Sequence, residues 1–469
     1  MGETRTYSVI TGAGVHIPDV VVPNSDFLDN EFFDRGGNRG GNRISSPFQD
    51  RYGSRLGYSL VEGQHHFFSN GKPLMFRDGN FYNHRDEVVS PFLDNRGVEI
   101  GFDGKDFWTK DGKKGLLPTG YFVAKLEEIS GIRERRYVPD GVVASDIAIL
   151  AGKSAMNSAG IRPESIDEVV VTHYRGDIRY LGQDTDVIDV KKIKEQLGVA
   201  SSVMTDFPRG CTGWLDALIY VDKKIKMGKG HKYLVIATDT LQRVLDPHDV
   251  DSMLFGSTSG AAVVEARESF TPIGIIGYAT HEDKNKGLIC MGPSNNPERK
   301  EGSYIKMNMG KNVHEYVINN CPGVIQQSIE AAETLLKEHE LLSIDGKLTL
   351  EDFRGIVMHQ ANGKINEHLF EKLSLMYHPK PDSVPRKAYR LMINQAKQAM
   401  VPMTIEWIGN SSGAAVATLF GLLFGGDHEF LKQKNLYDHR IRPGKYLLVA
   451  VGADMVSTSI VYRVSQYHH

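Results

Sequence analysis

The chain is poor in cysteine. Cys211, Cys290 and Cys321 are the only three in 469 residues, too few and too scattered for a disulfide framework, and none falls in a CxxC or Cys/His metal spacing. That excludes a disulfide-stapled secreted scaffold, leaves no metal site to assign, and fits a reducing cytoplasm. No run of about 20 apolar residues is present to span a bilayer, and the opening MGETRTYSVITGAG lacks the basic region and apolar core of an export signal. A soluble protein with no membrane partner is expected. Charge of one sign is lacking as well: 55 Lys plus Arg stand against 58 Asp plus Glu, for a formal charge of -3. Nothing in that balance draws the whole chain to nucleic acid, so any anion site must be local.

The chain does have apolar residues enough, 41% of the total, for a large core in two similar halves or domains. Strand-like runs (EVVVTH, KYLVIAT, GAAVVEA, GIVMH, KYLLVAVG) alternate with helix-like stretches such as ASDIAILAGKSAMNSAG and CPGVIQQSIEAAETLLKEH. The alternation predicts an α/β layered fold with buried, largely parallel strands. The order also repeats. HKYLVIATDT recurs as GKYLLVAVGAD, STSGAAVVEA is echoed by STSIVYRV, and IDEVVVTHYRG parallels FRGIVMHQANG, each pair about 190 to 210 residues apart. Two copies of one unit follow, with residues 1–275 as the first half and 276–469 as the second.

Residues 28–118 belong to neither copy. The segment is rich in Gly, Asn, Asp, Arg and aromatics and reads as turns and short hairpins, an ordered insertion rather than a disordered linker. Its aromatics, Phe32, Phe33, Phe48, Tyr52, Phe67, Phe68 and Phe81 among them, are expected to form a satellite cluster, leaving Arg35, Arg39 and Arg43 on a glycine-rich arm. An RGGNRGG run can also serve single-stranded RNA; the neutral overall charge weighs against it, and no nucleic-acid partner is expected.

Chemistry concentrates at FPRGCTGWLDAL. SSVMTDF reads as a strand and the residues after Cys211 as an amphipathic helix, so strand, tight turn and helix place the thiol at or near a helix N-terminus. Unpaired N–H groups and the positive end of the helix dipole favour a thiolate there. A buried, inert cysteine is the competing reading of this segment alone, and it is the one adopted for Cys290 and Cys321. The second half supplies two partners: His359, just beyond the strand of GIVMHQAN, and Asn410, in a glycine-flanked turn before the small-residue helix of GNSSGAAVATLFG. In a duplicated fold these ends meet Cys211.

At these residues the chain resembles the β-ketoacyl-acyl carrier protein synthase III family of the thiolase superfamily. The resemblance covers nearly everything outside the insertion, through VITGAGVHIPDVVVPNSD, SGIRERRYV, CTGW, LFGSTSGAAVVEA, HQANGKI, GNSSGAAVA and PGKYLLVAVGADM. It implies a pseudo-duplicated α-β-α-β-α layered fold and a Cys-His-Asn triad of Cys211, His359 and Asn410. The N–H groups of Cys211 and Ala453 would form an oxyanion hole, and Arg243, Asn362 and Lys364 would contact substrate. It also implies a homodimer, no cofactor, and partners that are acyl-CoA or acyl carrier protein thioesters.

The expected reaction is acyl transfer to Cys211 followed by decarboxylative Claisen condensation with a malonyl or β-ketoacyl thioester. Alternatives are transfer of the acyl group from Cys211 to an alcohol or amine, and a non-catalytic partner subunit. The chain departs from the family where FGSTSG stands for FGDGAG, where Lys125 takes the place of a CoA-stacking tryptophan, and where Ala453 and Asp454 replace two glycines of a terminal triple-glycine turn. Those departures and the insertion point to a specialised fatty acid or polyketide synthase.

Overall fold

The computed structural model describes residues 4–28, 30–33, 35, 37, 48–61, 64–89, 91–94, 97–102, 107–111, 119–201, 203–283, 289–307, 310–452 and 455–465. Strands β1 (Arg5–His16), β2 (Glu168–His173), β3 (Met204–Pro208), β4 (Lys232–Thr240) and β5 (Ser257–Ser269) form one sheet in the order β1-β5-β4-β2-β3. Strands β6 (Gly274–Glu282), β7 (Phe353–Met358), β8 (Gly444–Gly452) and β9 (Val456–Val464) form a second in the order β6-β9-β8-β7. Helices α2 (Gly213–Lys226) and α5 (Ala414–Gly425) lie between the two sheets. Their buried Trp214, Leu218, Val416 and Phe420 share one core with Val235 of β4 and Leu448 of β8. Helix α1 (Ala144–Ala159) covers the outer face of the first sheet. Helices α3 (Gly310–Glu338) and α4 (Gly363–Tyr377) cover the second. The layers are α-β-α-β-α.

Both sheets are mixed, which corrects the expectation of largely parallel strands. Only β2/β3, β2/β4 and β7/β8 are parallel, whereas β1/β5, β4/β5, β6/β9 and β8/β9 are antiparallel. Strands covered on both faces carry continuous apolar runs whichever way they pair, so the pattern that reveals burial conceals direction. The helix read from CPGVIQ onward also begins earlier, at Gly310, and carries Pro322 in its interior.

The duplication extends to detail. Each sheet has a one-residue bulge in its first strand, between Ile10 and Gly12 in β1 and between Ile275 and Gly277 in β6. At both bulges a helix backbone approaches so closely that only glycine fits. A Cβ on Gly12 would stand 2.4 Å from Ala159 N, and one on Gly277 would stand 2.5 Å from Ser328 O.

Strands Leu56–Val61, Gln64–Ser69, Lys72–Arg77 and Asn80–Tyr82 form an antiparallel meander, and Ile100–Phe102 with Phe107–Thr109 a hairpin beside it. They enclose a separate core of Phe48, Phe67, Phe81, Phe92, Phe102 and Phe107. Phe32 instead joins Phe27, Val123 and Met253, and Phe33 stacks edge-on against His248, while Tyr52 and Phe68 are exposed. Phe32 and Phe33 leave the expected cluster because the segment that holds them is tied to the loop after β4. Phe33 N–H bonds His248 O at 2.8 Å, and Asn295 Nδ2 bonds Phe33 O at 3.0 Å. Arg35 lies where its charge acts on the buried carboxyls of Asp249 and Asp251; Arg39 and Arg43 lie outside the described residues.

Phe67 sits at the centre of the satellite core, its ring 5.1 to 6.0 Å from those of Phe76, Phe81, Phe102 and Phe107. Phe67→Ala is expected to destabilise this unit by about 3–5 kcal/mol. Hydrogen exchange should show protection lost in residues 56–109 and retained in β4 and β8; uniform loss would mean that the insertion and the sheets unfold together. Among the described residues no helix is long and apolar enough to cross a membrane.

Candidate active site

Chain direction brings both interior helices to one place. β3 ends at Pro208, and a tight turn closed by Gly213 N–H to Gly210 O at 2.8 Å carries Cys211 just ahead of α2. In the second half, Asn410 N–H bonds Leu254 O at 2.9 Å and Gly256 N–H bonds Asn410 O at 2.8 Å, pinning the turn before α5 to the start of β5. The two turns stand back to back. A Cβ on Gly413 would lie 2.7 Å from Gly210 O, so glycine permits the approach. His359 follows β7, held through its N–H to Val449 O at 2.8 Å and through Asn366 Nδ2 to its carbonyl at 3.1 Å.

Cys211, His359 and Asn410 thereby line a single cavity of about 120 Å³. Ser412, Asn362 and Gly452 share its polar end. Its walls are apolar: Leu241, Leu254 and Phe255 from the first half, Ile289, Ile305 and Met307 from the hairpin Ile289–Gly292/Tyr304–Met307, Val313 and Val317 from α3, and Ile365 and Leu369 from α4.

The polar groups are arranged to donate. Asn410 Oδ1 accepts the Ser412 N–H at 2.9 Å, which fixes the amide so that its NH2 is the group left for the cavity. The FGSTSG departure takes part here, since Thr258 Oγ1 donates to Ser411 Oγ at 2.7 Å beside Asn410. His359 is 4% exposed, and neither ring nitrogen has a hydrogen-bond partner among the described residues. Burial pushes its pKa down to about 4, so the imidazole is neutral across the physiological range and keeps one N–H to offer. Cys321, by contrast, is fully buried in the second sheet's outer core, where burial pushes its thiol up to about 12. Cys290 lies on the hairpin beside the cavity-lining Ile289, partly exposed.

A neutral buried histidine makes stability depend on pH. The unfolded imidazole binds a proton below its ordinary 6.5 while the folded one does not until about 4, so the native state loses stability as pH falls through that window. Relative to His359→Gln, the native protein should lose about 3 kcal/mol between pH 7 and pH 4. Denaturant titrations of both proteins check this; parallel pH profiles would mean that the ring is solvated.

Residues 205–283, which contain the Cys211 turn and β4 to β6, match the family described as 3-oxoacyl-[acyl-carrier-protein (ACP)] synthase III. The β-ketoacyl-[acyl-carrier-protein] synthase III of Pseudoalteromonas atlantica is 28% identical over 341 residues, covering 72% of this chain and 90% of the relative. The chain resembles the β-ketoacyl synthase III acyltransferases. Its fold is shared by the 3-oxoacyl-(acyl carrier protein) synthase III of Pseudomonas aeruginosa PAO1, with TM-score 0.60 and 17% identity over 98% of this chain and 99% of that one. OleA from Xanthomonas campestris superposes with TM-score 0.56 and 12% identity over 98% and 99%.

The remaining residues singled out from this synthase-like sequence separate. Asn362 lines the cavity, yet its Oδ1 caps α4 by accepting the N–H groups of Lys364 at 2.9 Å and Ile365 at 3.4 Å. Lys364 is outside the lining, with Nζ 3.9 Å from Glu128, the carboxylate that also pairs with Lys125 at 2.7 Å. Arg243 is outside it too, bound to Asp140 at 3.1 Å and Pro139 O at 2.9 Å. Ala453 lies outside the described residues.

Sequence reasoning missed Ser412, which lines the cavity and carried no signal, because its φ of +50° is invisible in GNSSG.

Proposed function

We propose that Cys211 takes an acyl group with an apolar chain from a CoA or carrier-protein thioester and condenses it with a decarboxylating malonyl or β-ketoacyl thioester. Thioester exchange onto a thiolate is close to isoenergetic and needs no metal or organic cofactor. In the second half-reaction the Nε2–H of neutral His359 and the NH2 of Asn410 hold the oxygen on which negative charge develops as CO2 leaves. Each such donor in a water-poor pocket supplies roughly 3 kcal/mol. The enolate carbon then attacks the acyl-cysteine, whose oxyanion meets the N–H of Cys211 and, in this reading, that of Ala453.

The observation that carries the proposal is the pairing of a buried, neutral imidazole, without a hydrogen-bond partner among the described residues, with an amide whose carbonyl is already engaged. Two donors that line one cavity with a thiol suit a reaction with an anionic oxygen. The apolar walls suit a hydrocarbon chain; OleA of Xanthomonas campestris, similar in fold, has been seen with lauric acid and lauroyl-CoA. Arg243, Lys364 and Asn362 remain proposed contacts for the thioester's carrier, with Arg243 and Lys364 exchanging their present carboxylate partners for phosphate. The open edge of β3 at the end of its sheet supports a homodimer with the two central sheets joined. The insertion, anchored at the loop leading to Leu254 and Phe255, is proposed as a cap on the mouth of the cavity, as in a specialised fatty acid or polyketide synthase in the cytoplasm.

The test is intact-protein mass spectrometry after incubation with a panel of acyl thioesters, followed by measurement of CO2 released on adding malonyl thioester. A Cys211 adduct with CO2 release is expected. An adduct without CO2 release would replace condensation by transfer to an alcohol or amine; no adduct from any donor would overturn the reading.

A further inference from the structure

The hairpin Ile289–Gly292/Tyr304–Met307 gives the cavity Ile289, Ile305 and Met307, yet among the described residues its two strands pair only with each other. No ladder of sheet hydrogen bonds sets its distance from Cys211. Alternation along the strand turns Ile305 and Met307 to one face and Lys306 to the other. Lys306 enters a buried polar pocket, its side chain 8% exposed. There Nζ donates to Asp246 Oδ2 at 2.5 Å and to Asn295 Oδ1 at 2.9 Å, and lies 3.5 Å from Asp249 Oδ2.

This pocket joins the hairpin to two other parts of the chain. Asp246 and Asp249 belong to the loop after β4, and Asp246 also accepts the Ser294 hydroxyl at 2.9 Å and the Asn295 N–H at 2.5 Å. Asp249 caps the short turn Val250–Leu254 by accepting the Asp251 N–H at 3.1 Å, and that turn leads into Leu254 and Phe255 of the cavity wall. The other part is the insertion. Asn295 Nδ2 donates to Phe33 O at 3.0 Å, Phe33 N–H to His248 O at 2.8 Å, and His248 Nδ1 lies 2.9 Å from Glu31 O. A path of hydrogen bonds thus runs from the backbone of the insertion through the Asn295 amide and the Lys306 ammonium to the strand that walls the cavity.

An ammonium buried in this way gives up its hydration, and an apolar side chain of similar volume would fill the same space without that penalty. What the charged network supplies is position, because a fully satisfied polar network specifies a single arrangement.

We propose that Lys306 and Asn295 are positioning residues that set the acyl-chain length the cavity accepts, holding the wall of Ile305 and Met307 at a distance fixed by the insertion. With that link cut, the hairpin moves outward and the cavity takes longer chains. The inference rests on the reading of Cys211 as the group that carries the apolar chain.

The length of the cavity can be read without acyl transfer. Alkyl methanethiosulfonates, from butyl to hexadecyl, react with the Cys211 thiolate to leave the alkylthio group on the sulfur as a mixed disulfide, releasing methanesulfinate. The rate at the Cys211 peptide of the full-length protein is followed by mass spectrometry. Lys306→Met removes the ammonium at similar volume, and Asn295→Ala removes the bridge to Phe33 while Lys306 keeps Asp246. The bond from Ser303 N–H to Gly182 O at 2.8 Å keeps the hairpin attached in both. Thermal melting checks folding, and should Lys306→Met not fold, Asn295→Ala decides alone. The hexadecyl-to-butyl rate ratio should rise over native by about tenfold in Lys306→Met, the low end of what one methylene is worth in an apolar pocket. It should rise in the same direction in Asn295→Ala. A ratio unchanged or lowered in either folded variant would overturn the proposal, whatever the melting temperature does, and so would a native protein that takes all lengths equally. Acyl uptake from thioesters is scored separately on native protein. A raised ratio without acyl uptake upholds the link and sinks the synthase reading, and acyl uptake with unchanged ratios does the reverse.

Discussion

Cys211→Ala should give a folded protein that takes up no acyl group from any thioester and whose condensation rate falls by on the order of 10⁴-fold or more, the scale reached when a covalent nucleophile is removed. The side chain lost is small and lies in a turn rather than in a helix or strand, so thermal melting should change little. Cys290 and Cys321 sharpen the result. Cys321 is buried with its thiol pushed up to about 12, and a Cys290→Ala variant should acylate like the native protein. Acyl mass persisting in Cys211→Ala, mapped to either of the other cysteines, would move the nucleophile.

Asn410→Asp should separate the two half-reactions. The substitution keeps the oxygen that accepts the Ser412 N–H at 2.9 Å and replaces the donating NH2 by a second oxygen. Charge developing on the enolate then faces a carboxylate in place of a donor. Decarboxylation of malonyl thioester should drop at least 10²–10³-fold, while acylation of Cys211 should stay within a few-fold of native. Asn410→Ala, which loses the donor without adding charge, should fall between the native protein and Asn410→Asp in decarboxylation. Equal loss of acylation and decarboxylation in Asn410→Asp would mean that the amide supports the fold of the turn and not the second substrate.

What could be read in advance depended on whether a signal was local. The Cys211 turn was legible because a glycine-flanked cysteine between strand and helix patterns fixes the thiol's position by chain geometry alone. The meeting of Cys211, His359 and Asn410 at one cavity was legible only through the internal repeat, which sets β2 and β4 against β7 and β8. Strand direction was not legible, since β5 and β9 return antiparallel but are as apolar as a parallel strand. The contacts of Arg243 and Lys364 were also out of reach, because their carboxylate partners Asp140 and Glu128 lie more than a hundred residues away in the chain and carry no pattern. The aromatic cluster of the insertion was half legible: composition marked the rings, but not that along one strand Phe67 faces the core while its neighbour Phe68 is exposed.

The contact of Gly413 with Gly210 makes the distance between the thiol and the amide a property of two peptide backbones. No side-chain spacer sits between the halves at that point that could be lengthened or trimmed by a single substitution. Diversification of this enzyme is thereby channelled. New acyl preferences must arise in the replaceable walls, such as Ile305, Met307 and Val317, while the geometry of bond formation is inherited unchanged from variant to variant.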